Sequence, residues 1–171
     1  MTVVLVTLAL LLANALFVGA EFAIIGASRT ALEDRARHGD RLARRVLGLL
    51  TSPVRQDRFI ATAQLGITLA SLGLGMYGEH TIAAWLEPRL ALSPVQNVIA
   101  AHTLASVLAV AALTYLHIFL GEMVPKALAL SEAERTVRAV YWPMRVTLGV
   151  FFPLVYLLNR DRKSTRLNSS P

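Results

Sequence analysis

Three long apolar stretches restrict what this chain can fold into. They cover about residues 3–27, 59–84 and 96–130. Each exceeds the roughly 18 apolar residues that suggest a membrane-spanning helix. Only 16% of the residues are charged, whereas a soluble domain typically carries about a quarter. The sequence has no cysteine, which excludes disulfides and thiolate zinc sites. We therefore predict an all-α membrane protein with three transmembrane helices.

The first stretch also has one feature of a secretory signal peptide, because Val18-Gly19-Ala20 resembles a cleavage site. However, no basic region precedes the stretch, and its apolar run is longer than that of a signal peptide. We therefore favour a membrane span for these residues.

A strongly basic segment, residues 29–58, separates the first two apolar stretches. Its arginines are Arg29, Arg35, Arg37, Arg41, Arg44, Arg45, Arg55 and Arg58. Apolar residues recur between them at near-helical spacing, and His38-Gly39-Asp40 predicts a break. This pattern is typical of amphipathic helices that lie along a membrane surface. No aromatic residue is interleaved with the arginines, so we do not expect nucleic-acid binding.

The region after the third stretch is less regular. Residues 131–158 begin with a polar helical pattern and continue as an apolar run that two arginines and two prolines interrupt. Such a run suits an interfacial or re-entrant belt better than a fourth span. Ser131 and Glu134 have the spacing of a capping box at the start of this belt. Residues 159–171 form a polar tail. Its composition fits either a native terminus or residues added from an expression vector.

The arginines also predict the orientation in the membrane. Basic loops stay in the cytoplasm, which places residues 29–58 and the C-terminus inside and the N-terminus outside. The loop after the second stretch carries only Arg89 and is therefore expected outside. A fourth span would put the basic tail outside, against this rule. We predict a multi-pass protein of the plasma membrane.

Three polar residues lie deep inside the predicted spans. At about 1.5 Å of rise per residue, Asn14 and Ser71 are each about 20 Å from the cytoplasmic boundary, and Glu122 is about 14 Å from it. All three can meet near the bilayer midplane, where transporter ion sites usually lie. Pro125 removes an intrahelical hydrogen bond to the carbonyl of Gly121. These groups form an all-oxygen set, which suits a hard cation such as Mg²⁺ or Ca²⁺.

Each of these residues also has a purely structural interpretation. Lys126 follows Glu122 by one helical turn and can neutralise it, although Glu21 competes for the same lysine. Asn14 can clamp two helices together, and Ser71 can bond its own helix or a neighbouring one. Spacing alone leaves both a cation site and these structural roles open.

Other candidate residues favour structural roles. Ser28 lies too shallow for the midplane and is better explained as a helix terminus at the interface. His117 has no second metal-type partner one turn away, so we expect a packed or hydrogen-bonded histidine. The sequence lacks the serine-hydrolase, zinc-protease and phosphate-loop motifs, and we do not expect an enzyme.

Three motifs, in this order along the chain, resemble the transmembrane domain of the CorC/CNNM (cyclin M) magnesium transporters. They are Gly19-Ala20-Glu21-Phe22-Ala23 with Ser28-Arg29, Gln64-Leu65-Gly66-Ile67-Thr68-Leu69-Ala70-Ser71-Leu72, and Gly121-Glu122-Met123-Val124-Pro125-Lys126. The resemblance covers about residues 3–158. It implies a homodimer of three-span protomers with a juxtamembrane belt. The same resemblance implies that the dimer exports Mg²⁺, either with or without exchange for Na⁺. It also implies that Gly121 and Glu122 belong to the ion site, with contributions from Asn14 and Ser71.

Two positions depart from the family pattern. Val18 stands where many members have serine, and Ile67 stands where some have asparagine, so neither side chain can be a ligand here. Family members continue into paired CBS domains that bind adenine nucleotides, whereas this sequence looks like an isolated membrane domain. A rival class is a non-transporting membrane anchor or scaffold whose basic segment binds acidic lipids and partner proteins.

Overall fold

The computed structural model describes residues 2–78, 80–85 and 98–167, and within these residues the chain is helical without a β-strand. Its elements are α1 (Thr2–Gly26), α2 (Arg29–Arg37), α3 (Arg41–Leu50), α4 (Pro53–Gly73), the π-helix π1 (Leu74–Gly78), α5 (residues 80–85), α6 (Val98–Leu116), the π-helix π2 (His117–Met123), α7 (Val124–Ser131) and α8 (Ala133–Leu167).

Three helical stretches are long and apolar enough to cross a membrane. They are Val4–Gly26, Pro53–Trp85 and Thr103–Ser131. Many of their large apolar side chains are exposed, as lipid-facing side chains are. The predicted fold class, an all-α membrane protein with three transmembrane helices, is therefore confirmed. Homodimerisation and orientation remain predictions.

The basic segment folds as two short helices separated by a tight break. The Asp40 carboxylate accepts hydrogen bonds from the backbone N–H groups of Leu42 and Ala43, and so caps the start of α3. Gly39 supplies the break with a φ of 91°, a conformation that other residues rarely adopt. The last part of the basic segment differs from expectation, because α4 begins at Pro53 rather than at residue 59. Proline is favoured in the first turn of a helix, where its missing N–H costs no hydrogen bond.

The predicted belt falls on α8, which passes through Pro143 and Pro153 and continues to Leu167. The predicted capping box is wrong. The Ser131 hydroxyl donates to the Leu128 carbonyl, and the Glu134 carboxylate accepts from the backbone N–H of Ser28 instead. The physical reason is that α7 continues through Ser131, so its N–H already belongs to a helix.

By its internal contacts the chain divides into two compact units. Unit 1 contains Met1–Val18 and Gly66–Ala127, and unit 2 contains Gly19–Leu65 and Leu128–Pro171. Leu11, Leu74 and Leu113 form an apolar cluster in unit 1.

Glycine allows the helices of unit 1 to approach closely. A Cβ atom added to Gly66 would come within 2.6 Å of the Phe17 ring, and one added to Gly78 would come within 2.6 Å of Leu113. Small residues at such contacts let helix backbones pack together in a membrane.

Unit 2 joins the basic segment to α8. Its buried side chains include Leu32, Val46, Phe59, Val137 and Met144. The Arg138 guanidinium lies 2.8 Å from the Asp40 carboxylate. The Ala43 backbone hydrogen bond, together with the charge of Arg138, holds the pKa of Asp40 below its ordinary value, against the opposing effect of desolvation.

Candidate functional site: a polar cluster in unit 1

Asn14 lies at the centre of a hydrogen-bonded cluster inside unit 1. Its side chain is only 1% exposed, although asparagine is mostly found at protein surfaces. Its Nδ2 donates to the Gly121 carbonyl at 2.9 Å, and its Oδ1 accepts from the Ser71 hydroxyl at 3.2 Å. The Ser71 hydroxyl also lies 3.2 Å from His117 Nε2. The cluster therefore joins α1, α4 and π2.

The direction of each hydrogen bond in this cluster follows from one group. The Gly121 carbonyl can only accept, so Asn14 must turn its amide N–H towards it and its Oδ1 towards Ser71. The single Ser71 hydroxyl hydrogen is then used on Asn14 Oδ1. Ser71 must therefore accept from His117, which places a proton on Nε2 of that ring. The result is one chain of donors running from His117 through Ser71 and Asn14 to Gly121.

The Gly121 carbonyl is available to Asn14 because of the local backbone. Pro125 has no N–H, so the usual α-helical bond to the carbonyl four residues earlier cannot form. Gly121 lies in π2, where the Val124 N–H bonds to Phe119, five residues back. A side chain at Gly121 would also crowd the cluster, since an added Cβ would lie 3.1 Å from Asn14 Nδ2. π-Helical turns frequently occur at functional sites.

The structure brings together three of the four predicted site residues, namely Asn14, Ser71 and Gly121. Glu122 is adjacent in the chain, but its side chain is exposed. In the described part of the chain, no hydrogen bond or ion pair joins the Glu122 carboxylate to another residue.

His117 is the cluster residue that sequence reasoning did not assign to the site. The expectation of a hydrogen-bonded histidine is confirmed, since Nε2 contacts Ser71. A lone histidine on an apolar helix gives no signal of its partner. The useful signal was its position one turn before Gly121, on the same stretch as a predicted ligand.

Two further polar residues of the motifs lie in unit 2. Glu21 accepts a hydrogen bond from Gln64 Nε2 at 3.0 Å. Ser28 accepts from the Ala31 N–H and so caps α2, which confirms its prediction as a helix terminus.

The donor set limits which cation the cluster can hold. Among the described residues no group of three or more histidine and acidic side chains is arranged to hold a metal. The cluster instead offers the Gly121 carbonyl, the Asn14 amide and the Ser71 hydroxyl. Neutral oxygens with at most one carboxylate suit a hard cation held weakly.

The fold and this cluster define an all-α membrane domain with a polar centre among its spanning helices. Residues 5–163 match the family described as Cyclin M transmembrane N-terminal domain. The chain belongs to this family, which confirms the resemblance that the three motifs indicated.

Relatives of this chain occur in distant bacteria. It is 33% identical to UPF0053 protein YhdP of Bacillus subtilis (strain 168) over 160 residues, which are 93% of this chain and 35% of that protein. It is 38% identical to protein Rv1841c of Mycobacterium tuberculosis (strain ATCC 25618 / H37Rv) over 159 residues, 93% of this chain and 44% of that protein. It is 37% identical to UPF0053 protein sll0260 of Synechocystis sp. (strain ATCC 27184 / PCC 6803 / Kazusa) over 149 residues, 87% of this chain and 32% of that protein. The chain thus spans less than half the length of each.

Proposed function

We propose that this domain transports Mg²⁺ across the plasma membrane through a site built around Glu122, Gly121, Ser71 and Asn14. The observation that carries the proposal is the buried bond from Asn14 to the Gly121 carbonyl, with Ser71 on the other side of the amide. Three oxygen-bearing groups from three separated parts of the chain meet in the apolar interior of unit 1. Membership of the cyclin M family supports the coarser part of the proposal, a membrane domain of this family.

Loading the site requires one rearrangement. The Asn14 N–H now points at the Gly121 carbonyl, so a cation at that oxygen requires the amide to turn. When the Asn14 amide turns, Oδ1 takes the place of Nδ2. Asn14 Oδ1 and the Gly121 carbonyl oxygen then both face the ion. The Ser71 hydroxyl loses its acceptor and presents its own lone pairs. Glu122 supplies the negative charge, and its carboxylate has no competing partner among the described residues.

The proposed direction is export, with Na⁺ exchange as the proposed coupling. No catalytic step is involved, so the proposal is for a transporter and not an enzyme. The site has one carboxylate and a few neutral oxygens, and Mg²⁺ releases its waters reluctantly. We therefore expect weak binding, nearer millimolar than nanomolar, and no preference for Ca²⁺.

Replacing Glu122 by glutamine tests the site. The purified chain is reconstituted in liposomes, and Mg²⁺ flux is followed with an indicator dye. We expect Glu122→Gln to lower both flux and calorimetric Mg²⁺ binding by at least about tenfold, since loss of the charge removes the strongest ligand. The matched control is Glu132→Gln, which removes an exposed carboxylate paired with Arg135 in unit 2. The control variant should transport normally.

The same assay with and without a Na⁺ gradient tests the coupling. Flux that responds to the gradient supports exchange, and flux that does not respond to it contradicts exchange.

Unchanged Mg²⁺ flux and binding in Glu122→Gln would overturn the proposed site. Absence of flux in the wild-type chain, together with absence of Mg²⁺ binding, would favour the membrane anchor or scaffold instead.

A further inference from the structure

Unit 2 contains two cavities of about 520 Å³ each, and Arg55 and Arg145 line both of them. Tyr141 and Trp142 line one cavity, and Leu148 lines the other. The arginines that line the two cavities are Arg44, Arg45, Arg55, Arg58 and Arg145, and we call this surface the arginine cleft. It combines residues of α3, α4 and α8.

Among the described residues, acidic side chains do not balance the charge of the arginine cleft, because no aspartate or glutamate of this part of the chain lines either cavity. Within the described ranges, none of the five arginines forms an ion pair, whereas Arg138 pairs with Asp40 and Arg29 pairs with Glu33. Arg44 donates to the Ala36 carbonyl. Five like charges in one cleft repel each other, and an anion with several oxygens would relieve that repulsion.

Apolar and aromatic side chains surround the arginine cleft. Trp142 is 54% exposed, and the Arg45 guanidinium lies 5.0 Å above its ring. Val146 and Val150 follow on the same helix and are exposed as well. Tryptophan is enriched where a membrane meets water, and arginine stems lie along apolar surfaces while their charged ends reach polar groups. A ligand that satisfies all of these groups is anionic at one end and apolar at the other.

We propose that the arginine cleft binds the headgroup of an anionic phospholipid, with its acyl chains against Val146 and Val150. Guanidinium groups bind phosphate oxygens in a bidentate fashion, which explains why arginine rather than lysine occupies the cleft. A soluble phosphate would leave the exposed valines and Trp142 in water. Because two cavities share Arg55 and Arg145, the cleft prefers a headgroup with two phosphates over a headgroup with one.

Native mass spectrometry of the detergent-purified chain tests the proposal. The chain is titrated separately with cardiolipin, which carries two phosphates, with phosphatidylglycerol, which carries one, and with zwitterionic phosphatidylcholine. We expect affinity to fall in that order. The double variant Arg55→Gln/Arg145→Gln should bind cardiolipin about tenfold more weakly. The matched control Arg37→Gln/Arg41→Gln removes two exposed arginines outside both cavities and should bind as wild type.

The outcomes are separate from those of the transport assay, because neither cavity includes a residue of the proposed ion site. Circular dichroism checks that each variant folds, and Arg44→Gln/Arg58→Gln is the replacement if the first double variant does not. Equal losses of cardiolipin affinity in the cleft variant and the control variant would show only general charge attraction and would overturn the proposal. Binding of soluble glycerol phosphate as tight as that of cardiolipin would assign the cleft to a free phosphate and would also overturn the proposal.

Discussion

Asn14 is the residue on which the polar cluster depends. It is buried and bonds both the Gly121 carbonyl and the Ser71 hydroxyl. Asn14→Leu would leave the Gly121 carbonyl without its side-chain donor and the Ser71 hydroxyl without its acceptor, with only His117 still in contact with Ser71. We expect a loss of about 1–2 kcal/mol in the free energy of unfolding, the usual cost of unsatisfied polar groups at such sites. Reversible denaturation in bicelles measures it.

Thr7 provides the matched control on the same helix. Its hydroxyl is buried and has no hydrogen-bond partner among the described residues. Thr7→Val keeps the shape and removes only that unsatisfied hydroxyl, so it should leave stability unchanged or raise it slightly. An Asn14→Leu variant as stable as the Thr7→Val variant would contradict the role assigned to the cluster.

The composition of this cluster was partly predictable from the sequence. Depth along a helix placed Asn14 and Ser71 at the same level, and the structure shows them bonded. Pro125 indicated a freed carbonyl at Gly121, and Asn14 bonds that oxygen. His117 was not assigned to the cluster, because its contact depends on how a neighbouring helix is rotated, which spacing along one helix does not reveal.

Among the helices, the basic segment and α8 are joined by an ion pair as well as by buried apolar side chains. Asp40 caps α3 and pairs with Arg138 at 2.8 Å. Its lowered pKa means that the folded protein favours the ionised carboxylate more than the unfolded chain does. Asp40 therefore adds stability above the unfolded pKa of about 3.9, and this is lost as the pH falls through the lower folded pKa.

Asp40→Asn tests this pH dependence. Asparagine also caps helices well, so the substitution removes mainly the charge. We expect lower stability than wild type at pH 7, and a smaller further loss on acidification from pH 5 to pH 3. Glu33→Gln breaks the exposed pair with Arg29 and should leave the acid profile close to wild type. Parallel profiles for wild type and Asp40→Asn would contradict the assignment.

The helices themselves were easier to predict than their internal irregularities. Apolar length predicted the three spans, and His38-Gly39-Asp40 predicted the break before α3. The π-helices π1 and π2 were not predicted. A π-helical turn shifts the hydrogen-bond partner by one residue within a mostly apolar stretch, so the hydropathy pattern hardly changes. The capping box failed for a similar reason, since the alternative partner of Glu134 lies far away in the sequence.

For the molecule as a whole, the third span offers the most open surface. Only 22% of its most apolar window is buried, compared with 39% for the first span and 33% for the second. Its exposed side chains include Val107, Tyr115 and Phe119, and the two aromatic rings stack at 6.0 Å. We therefore propose that the domain is a homodimer whose contact is formed by the second and third spans.

Cysteine crosslinking in membranes tests the dimer directly, because the chain has no native cysteine to remove. We expect oxidation to crosslink Val107→Cys across the twofold axis, since residues at that contact approach their own copies. Leu5→Cys, at an exposed position on α1, is the matched control and should stay monomeric on a gel. Positions in the second span, such as Leu72→Cys, should crosslink with the third span more than with the first. Crosslinks along the first span without any in the second and third would show that the proposed contact is wrong.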